Sequence, residues 1–149
     1  MNAKIIAHGA EALILKENNK IIKKRIEKSY RLPELDKKLR KQRTKREARL
    51  LEKASLVILV PKIIKKSEYE LELELIEGKK LSDYIDTLPR HLSVCKIIGE
   101  NIAKIHDLNI IHGDLTTSNM ILDKKNKLFI IDFGLGFESA RVEDKAVDL

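Results

Sequence analysis

The chain contains 149 residues, of which 43% are hydrophobic, and its formal net charge is +7 at pH 7. This length fits one ordinary domain or two small lobes, and the hydrophobic fraction can build a core, which excludes a largely disordered chain. The single cysteine, Cys95, can form no internal disulfide, and its place in a helical pattern favours a small buried residue over a nucleophile or metal ligand. Because the sequence shows no signal peptide and no run of 18 apolar residues, we expect a soluble cytoplasmic protein without membrane contact.

The positive charge is concentrated in one region, residues 20 to 53. That segment holds 15 Lys and Arg residues against 5 Asp and Glu residues, a local charge of +10, whereas the rest of the chain carries −3. A basic patch can attract the phosphates of RNA by releasing counterions. The same pattern is typical of a solvated helix face in a lysine-rich chain. Both interpretations stay open from the composition alone.

The first half of the chain predicts a small antiparallel sheet and one long helix. Three β-rich runs separated by turn residues predict a meander, and a later alternation of Leu and Glu predicts a further strand. Between them, Pro33 opens a helix that extends to about Ala54, with an interruption considered near Gln42. The five predicted strands are Lys4 to His8, Ala12 to Glu17, Lys20 to Ile26, Pro61 to Lys65 and Tyr69 to Leu75.

The second half predicts helices around one polar loop. Gly78 ends the last strand, and a short helix whose start is capped by Ser82 or a neighbour is expected from Leu81 to Leu88. Apolar residues at helical spacing predict an amphipathic helix from Leu92 to Leu108. Five strands with one helix, then a helical part, is the order of a two-lobe protein kinase.

We therefore expect an α+β, two-lobe protein-kinase-like fold in a single domain that spans residues 1–149. The N-lobe, an antiparallel five-stranded sheet with one main helix, should cover about 1–76. A reduced helical C-lobe, incomplete at its C-terminal end, should cover about 79–149.

Two polar motifs carry the chemistry. Residues 112 to 119 read His-Gly-Asp-Leu-Thr-Thr-Ser-Asn, and Asp132 begins an Asp-Phe-Gly sequence 13 residues after Asn119. An Asp-x4-Asn loop followed by Asp-Phe-Gly is how protein kinases equip phosphoryl transfer from ATP. Asp114 would orient the acceptor hydroxyl or a water and take its proton, while Asn119 and Asp132 would hold Mg²⁺. The alternatives are ordinary turn roles for all three residues.

Phosphate neutralisation requires a lysine from the third strand and a glutamate from the helix. Lys23 is the candidate, because the period of two places Ile21 and Lys23 on one face; a shift by one residue would place Lys24 there instead. Glu47 lies beside the apolar stripe of the helix, where a carboxylate without a partner is unfavourable, and a pair with Lys23 would satisfy it. The alternative for Glu47 is a surface pair with Arg43.

The remaining nucleotide contacts are expected from backbone groups. Gly9, Ala10 and Glu11 occupy the place of the loop that covers the phosphates, but the Gly-x-Gly-x-x-Gly pattern of protein kinases is absent. Backbone amides could still reach phosphates there. The backbone around Glu74 and Ile76 is expected to bind the adenine edge.

These residues together resemble the small atypical kinase and ATPase of the KEOPS complex, which takes part in threonylcarbamoyl modification of adenosine in tRNA. The family-specific parts are Lys23-Lys24-Arg25 and the Thr-Thr-Ser of the 112–119 loop. The resemblance implies ATP as substrate, serine/threonine phosphorylation, and the threonylcarbamoyl transferase and other KEOPS subunits as partners. The charge of residues 20 to 53 adds tRNA as a candidate contact. Other matching segments are Gly9-Ala10-Glu11-Ala12, Lys28 to Pro33, Arg43-Thr44, Glu47-Ala48, Ile76-Glu77-Gly78, Asp132 to Leu135 and Glu143 to Asp148.

The sequence also departs from ordinary protein kinases. Gly113 stands where they carry an arginine, and no Ala-Pro-Glu follows Gly134. Control by phosphorylation of an activation loop after Gly134 is therefore not expected. The family's chains continue past Asp148, which by resemblance would brace the catalytic loop and which we expect to be unsupported near the end of this chain. Two other functions stay open: a small-molecule kinase of the aminoglycoside, choline or RIO type, and a nucleotide-binding tRNA scaffold without turnover.

Overall fold

An antiparallel five-stranded sheet forms the first half of the protein. The computed structural model describes residues 3–9 and 11–149. The strands are β1 (Lys4–His8), β2 (Ala12–Glu17), β3 (Lys20–Arg25), β4 (Ile63–Lys66) and β5 (Glu70–Glu74). Their spatial order is β1-β2-β3-β5-β4, which confirms the predicted sheet with strand ends shifted by one or two residues. Asn18 turns β2 into β3 with a φ of 50°, a left-handed conformation that asparagine tolerates.

One long helix, α1 (Pro33–Ala54), packs against this sheet. Pro33 fits the first turn, where a backbone N–H would lack a helical partner, and Glu34 and Asp36 complement the positive end of the helix dipole there. The helix continues through Gln42, so the interruption considered there is absent; glutamine and the flanking basic residues are good helix formers. Its inward face buries Thr44, Glu47, Ala48, Leu50, Leu51 and Ala54.

The second half surrounds the 112–119 loop, called the catalytic loop below, with short strands and helices. The predicted helix from Leu81 to Leu88 is wrong: two 3-10 turns, Leu81–Asp83 and Ile85–Thr87, take its place. The Ser82 hydroxyl contacts the Asp83 carboxylate instead of capping a helix. The other elements are β6 (Gly78–Lys80), α2 (His91–Asp107), β7 (Ile110–Ile111), a 3-10 turn (Thr117–Asn119), β8 (Met120–Asp123), β9 (Leu128–Ile130), β10 (Phe137–Glu138) and α3 (Val142–Val147).

Strand β6, directly before the two 3-10 turns, was not predicted from the sequence. It pairs with β8, which in turn pairs with β9. A Cβ atom on Gly78 would lie 2.4 Å from the Leu122 carbonyl oxygen, so only glycine permits this close approach of the two backbones. The start of the second half is thus fixed by pairing with residues more than 40 positions away.

The main hydrophobic core joins the two halves of the chain. Leu50 and Leu51 of α1 and Leu71 of β5 pack in one cluster with Ile105 of α2, and with Phe133 beyond β9. Helix α2 departs from the predicted apolar stripe at four positions, one of which is Ile97, a residue of that stripe that is exposed. Cys95, expected to be buried, is exposed, and the polar residues Asn101 and His106 are buried.

In residues 3–9 and 11–149, no helix has the length and apolar character needed to cross a membrane.

Candidate active site

Lys23 lies at the centre of a charge cluster that is buried on the Glu47 side and open to solvent at Asp132. Its Nζ atom is 2.6 Å from Glu47 Oε1 and 2.5 Å from Asp132 Oδ1. Lys23 is 8% exposed and Glu47 is 1% exposed, whereas Lys24 points to solvent. The strand parity therefore selects Lys23, and the contact between Lys23 and Glu47 that the sequence predicted is present. The structure brings β3, α1 and the segment after β9 together at this one ammonium group.

The charges in this cluster support one another. Burial alone would lower the pKa of Lys23, but the Glu47 and Asp132 carboxylates more than offset it, so that pKa is raised. Burial alone would raise the pKa of Asp132, but the charge and hydrogen bond of Lys23 hold it below its usual range. Lys23 is thus a cation and Asp132 an anion throughout the neutral range.

Asp132 is held in a conformation that only a few residue types adopt readily. Its φ is +63°, in the left-handed region. The Gly134 N–H donates to Asp132 Oδ1 at 3.2 Å. A Cβ atom on Gly134 would lie 3.0 Å from both Asp132 Oδ1 and Lys23 Nζ. A glycine at this position therefore lets the turn close over the ion pair.

Asp114 and Asn119 lie beside the segment that carries Asp132, because the Ile131 N–H donates to the Asn119 carbonyl oxygen at 2.9 Å; the space between Asp114, Asn119 and Asp132 is called the cleft below. Asn119 Nδ2 donates to Asp114 Oδ2 at 2.8 Å and to the Asp114 carbonyl oxygen at 3.0 Å. The Asp114 side chain is exposed, so its carboxylate is open to an incoming group. The 3-10 turn Thr117–Asn119 brings the asparagine back to the aspartate, as the Asp-x4-Asn spacing requires.

Buried polar groups support the catalytic loop from below. Asp148 accepts hydrogen bonds from the backbone N–H groups of His112 and Gly113, at 2.9 and 2.7 Å, and contacts His106 Nε2 at 2.8 Å. The expectation that Asp148 would be unsupported is therefore wrong, because helix α3 carries it under the loop. The His112 ring lies 4.6 Å from the Phe133 ring.

The His112 ring also orients the loop. Its Nδ1 accepts from the Asp114 N–H at 3.2 Å, which leaves Nε2 to donate to the Ile131 carbonyl at 3.0 Å. Burial lowers the pKa of His112, so the ring is neutral in the neutral range.

Glycine at position 113 is required by geometry. Its φ is +79°, and a Cβ atom there would lie 2.7 Å from the Leu135 carbonyl oxygen. An arginine could not adopt this backbone without moving the Leu135 segment.

The oxygen atoms that face the cleft suit Mg²⁺, which prefers hard oxygen ligands and needs few protein groups. Because the Asn119 amide nitrogen is engaged by Asp114, its Oδ1 is available to a cation. Both hydrogen bonds of the Asp132 carboxylate within the described residues use Oδ1, which leaves Oδ2. No group of three or more His, Cys, Asp or Glu side chains converges in the described part of the chain. A cation would therefore rely on Asn119, Asp132 and the phosphates themselves.

The phosphate-covering segment is anchored by charge. Ala10 lies outside the described residues. The Glu11 carboxylate contacts Arg31 at 3.2 Å and also pairs with Arg43. Burial alone would raise the pKa of Glu11, but the two arginines lower it. The Gly9 N–H donates to the Ala12 carbonyl oxygen, and the pair between Glu11 and Arg43 ties this part of the chain to α1.

The segment expected at the adenine edge borders a cavity of about 350 Å³. Glu74 and Ile76 line it, together with Asn19, Asp123 and Phe129. Lys23, Asp114, Asn119 and Asp132 do not line this cavity, so it adjoins the linking segment and not the charge cluster. The Leu75 N–H is already bonded to the Asn19 carbonyl. These contacts leave the adenine role of Glu74 and Ile76 a prediction.

Sequence reasoning missed one residue of the cluster, Arg25. Its guanidinium donates to Glu47 Oε2 at 2.7 Å, and the residue is 4% exposed. The signal was present, because the parity that selects Lys23 also places Arg25 on the same face of β3. The alternative partner considered for Glu47, Arg43, pairs with Glu11 instead.

The family comparisons agree with this geometry. Residues 9–146 match the family model described as the protein kinase domain. The KEOPS complex subunit Bud32 of Pyrococcus abyssi is 43% identical over 98% of this chain and 73% of its own length. A probable bifunctional tRNA threonylcarbamoyladenosine biosynthesis protein of Methanobrevibacter smithii is 46% identical over 97% of this chain. The chain spans 27% of the length of that bifunctional relative.

Solved structures support the fold. The Rio2 kinase of Chaetomium thermophilum, in a complex with ADP, Mg²⁺ and phosphoaspartate, superposes with a TM-score of 0.77 at 16% identity. The match covers 97% of this chain and 51% of the Rio2 chain. At that identity the likeness establishes the protein-kinase-like fold alone. The sequence relatives are more specific: the chain belongs to the protein kinase domain family and, within it, to the family of the KEOPS complex subunit Bud32.

Proposed function

We propose that this chain binds ATP with Mg²⁺ and transfers the terminal phosphoryl group to a serine or threonine hydroxyl or to water, as the Bud32-type subunit of a KEOPS complex. One observation carries the proposal: Lys23 contacts both Glu47 and Asp132, so groups from three separated segments form the phosphate side of a kinase site. The names of the relatives support a place in tRNA threonylcarbamoyladenosine biosynthesis and favour it over a small-molecule kinase.

On the phosphate side, Lys23 would turn from the carboxylates to the ATP phosphates and neutralise part of their charge. Asn119 Oδ1 and Asp132 Oδ2 would hold Mg²⁺, which supplies charge neutralisation at the phosphates when it is bound. Gly9, Ala10 and Glu11 would contribute backbone contacts above the phosphates. Glu74 and Ile76 would contribute the backbone contacts to adenine.

On the acceptor side, Asp114 would position the attacking hydroxyl or water. As the new P–O bond forms and the bond to the ADP oxygen breaks, the proton of the attacking group passes to the Asp114 carboxylate. Asn119 holds that carboxylate through Oδ2. The exposure of Asp114 supports access by a large acceptor such as a partner protein.

The test is ADP release by the full-length protein together with its threonylcarbamoyl transferase partner. Asp114→Asn should lower turnover by at least about a hundredfold, the usual contribution of a positioned acid or base. Asp107→Asn, the same change at an exposed residue of α2, is the matched control and should leave turnover unchanged. Equal turnover in the wild type and Asp114→Asn would contradict the proposal.

We further propose that residues 1–149 act as one kinase-like unit in the cytoplasm, with lobes at about 1–76 and 79–149. The core that joins α1 to Phe133 supports a single unit. The KEOPS subunits are the proposed partners, because the Bud32 relatives carry that name.

The basic region supports a second, compatible role in tRNA contact. Much of its charge is used inside the protein, since Lys23, Arg25, Arg31, Arg40 and Arg43 all pair with carboxylates. The exposed basic residues of α1 that form no ion pair within residues 3–9 and 11–149 are Lys37, Lys38, Lys45 and Arg46. Lys38 and Lys45 lie on the same side of the helix, where they could reach a phosphate backbone.

Salt dependence separates this role from a solvated face. Lys38 and Lys45 lie seven residues apart, on the same side of α1, so Lys38→Gln with Lys45→Gln should reduce the slope of log affinity for tRNA against log salt by about 2. Lys125→Gln with Lys127→Gln, two exposed lysines between β8 and β9, is the matched control. Equal slopes in the wild type and both variants would argue against tRNA contact by α1.

A further inference from the structure

Glu47 of α1 is held by two cations from one strand. Lys23 Nζ lies 2.6 Å from Glu47 Oε1, and the Arg25 guanidinium lies 2.7 Å from Glu47 Oε2. All three side chains are buried, whereas Lys24 between the two cations is exposed. Each oxygen of the Glu47 carboxylate therefore has its own positive partner, and both partners come from β3.

The charge balance of the cluster depends on Arg25. Lys23 is shared between Glu47 and Asp132. Without Arg25, one lysine would be shared by buried Glu47 and by Asp132, whose side chain is 47% exposed. The buried Glu47 carboxylate would then have no positive partner of its own, which is unfavourable in a poorly solvated site. Its charge would also repel the phosphates of a nucleotide. With Arg25 the cluster has two positive and two negative groups.

The charged groups that lie closest to Arg25 along β2 and α1 pair with one another. Ala12 lies opposite Arg25 in the sheet, and its neighbour Glu11 pairs with Arg31 and Arg43. Arg43 precedes Glu47 by one helical turn on α1 but turns to Glu11. The second cation of Glu47 is therefore Arg25 and not a residue of its own helix.

We propose that Arg25 is a positioning residue that holds Glu47, and with it α1, against β3 while Lys23 leaves to engage the phosphates. A guanidinium stays protonated at every working pH and can keep a fixed bond to the carboxylate. Lys23 can then move to the ligand while the Glu47 carboxylate keeps Arg25 as a partner. Arg25 acts through Glu47 and Lys23 and does not touch the substrate. The part of this inference that concerns phosphates rests on the proposed function.

A double-mutant cycle on the full-length protein tests the inference in nucleotide binding. Arg25→Met should weaken Mg·ADP binding at least tenfold in the wild-type background. In a Glu47→Gln background the same change should weaken it less than twofold, because a neutral glutamine needs no second cation. Arg25→Lys should recover most of the affinity, and Lys24→Met, on the opposite face, should have no effect. Equal losses in both backgrounds would overturn the inference, because they would indicate packing alone.

Hydrogen exchange of the nucleotide-free protein gives a readout that does not depend on ATP. Arg25→Met should lower the protection of amides in residues 44–51 of α1 at least tenfold, whereas Lys23→Met and Lys24→Met should leave it within threefold of the wild type. Equal loss in Lys23→Met and Arg25→Met, or no loss in Arg25→Met, would overturn the inference. If the protein released no ADP while these exchange results held, the proposed function would fail and the role of Arg25 would stand.

Discussion

The two sides of the cleft are built in different ways. On the phosphate side, Lys23, Arg25 and Glu47 form a buried ion cluster that depends on side-chain charge. On the acceptor side, Asp114 is exposed, and its loop is held by backbone hydrogen bonds to one buried carboxylate, Asp148. The phosphate side is thus preorganised before a ligand arrives, while the acceptor side is a supported but open platform. This difference predicts that a substitution on the acceptor side can lower turnover without an equal loss of Mg·ADP affinity.

The largest effect on stability is expected at Asp148. Asp148→Ala would leave the N–H groups of His112 and Gly113 without a partner, and we expect a loss of about 3 kcal/mol in the free energy of unfolding, measured by urea denaturation. Because the damage falls on the acceptor loop, turnover should fall more than Mg·ADP affinity.

The control for this prediction is Asp86→Ala, at an exposed aspartate, which should change the unfolding free energy by less than about 0.5 kcal/mol. Loss of Mg·ADP affinity equal to the loss of turnover in Asp148→Ala would break the separation between the two sides.

A change in the shared core should affect both sides together. Leu50 is 1% exposed and packs in the cluster that contains Phe133, so Leu50→Ala should cost about 2–3 kcal/mol of unfolding free energy. Leu56→Ala, at a residue that is 77% exposed, is the matched control and should be nearly neutral. We expect Mg·ADP affinity and turnover to fall in parallel in Leu50→Ala; an effect on turnover alone would show that the core serves only the acceptor loop.

The smallest effect is expected from pH. Burial lowers the pKa of His112, so the unfolded chain takes up a proton near the ordinary imidazole pKa of about 6.5 while the folded protein resists it. The unfolded state therefore binds more protons below that pH, and this histidine makes stability decrease as pH falls from 7 towards 5. His112→Gln should flatten that part of the stability profile. An unchanged slope would mean that other groups dominate in this pH range.

The sequence predicted the elements whose signals are local. The period of two in β3 and β5 and the helical spacing after Pro33 were sufficient for the sheet and for α1. The same parity, together with the position of Glu47 on the apolar stripe of α1, predicted the contact between Lys23 and Glu47. The spacing of Asp114, Asn119 and Asp132 predicted a site, and the structure places these residues around one cleft; their catalytic and metal-binding roles stay predictions.

The errors arose where long-range pairing decides the structure. Strand β6, which was not predicted, forms because Gly78 fits against the Leu122 backbone, and two 3-10 turns follow it in place of the helix expected from Leu81 to Leu88. Asp148 is well supported because a short helix carries it beneath His112, a contact across 36 residues. Cys95 is exposed, and the buried face of α2 includes the polar residues Asn101 and His106. A hydrophobic pattern does not select polar residues for a buried face. Arg25 was missed although it has the same strand parity as Lys23.

Parallel measurement of Mg·ADP affinity and ATP turnover in Asp132→Asn and Asp114→Asn tests the central claim most directly. The account predicts that Asp132→Asn weakens Mg-dependent ADP binding and lowers turnover by about a hundred- to a thousandfold, since a carboxylate that would hold the charge-neutralising Mg²⁺ is lost. Asp114→Asn should bind Mg·ADP within about threefold of the wild type and still lose turnover by at least about a hundredfold. Wild-type turnover in Asp114→Asn, or unchanged Mg·ADP binding in Asp132→Asn, would contradict the assignment of a phosphate side and an acceptor side.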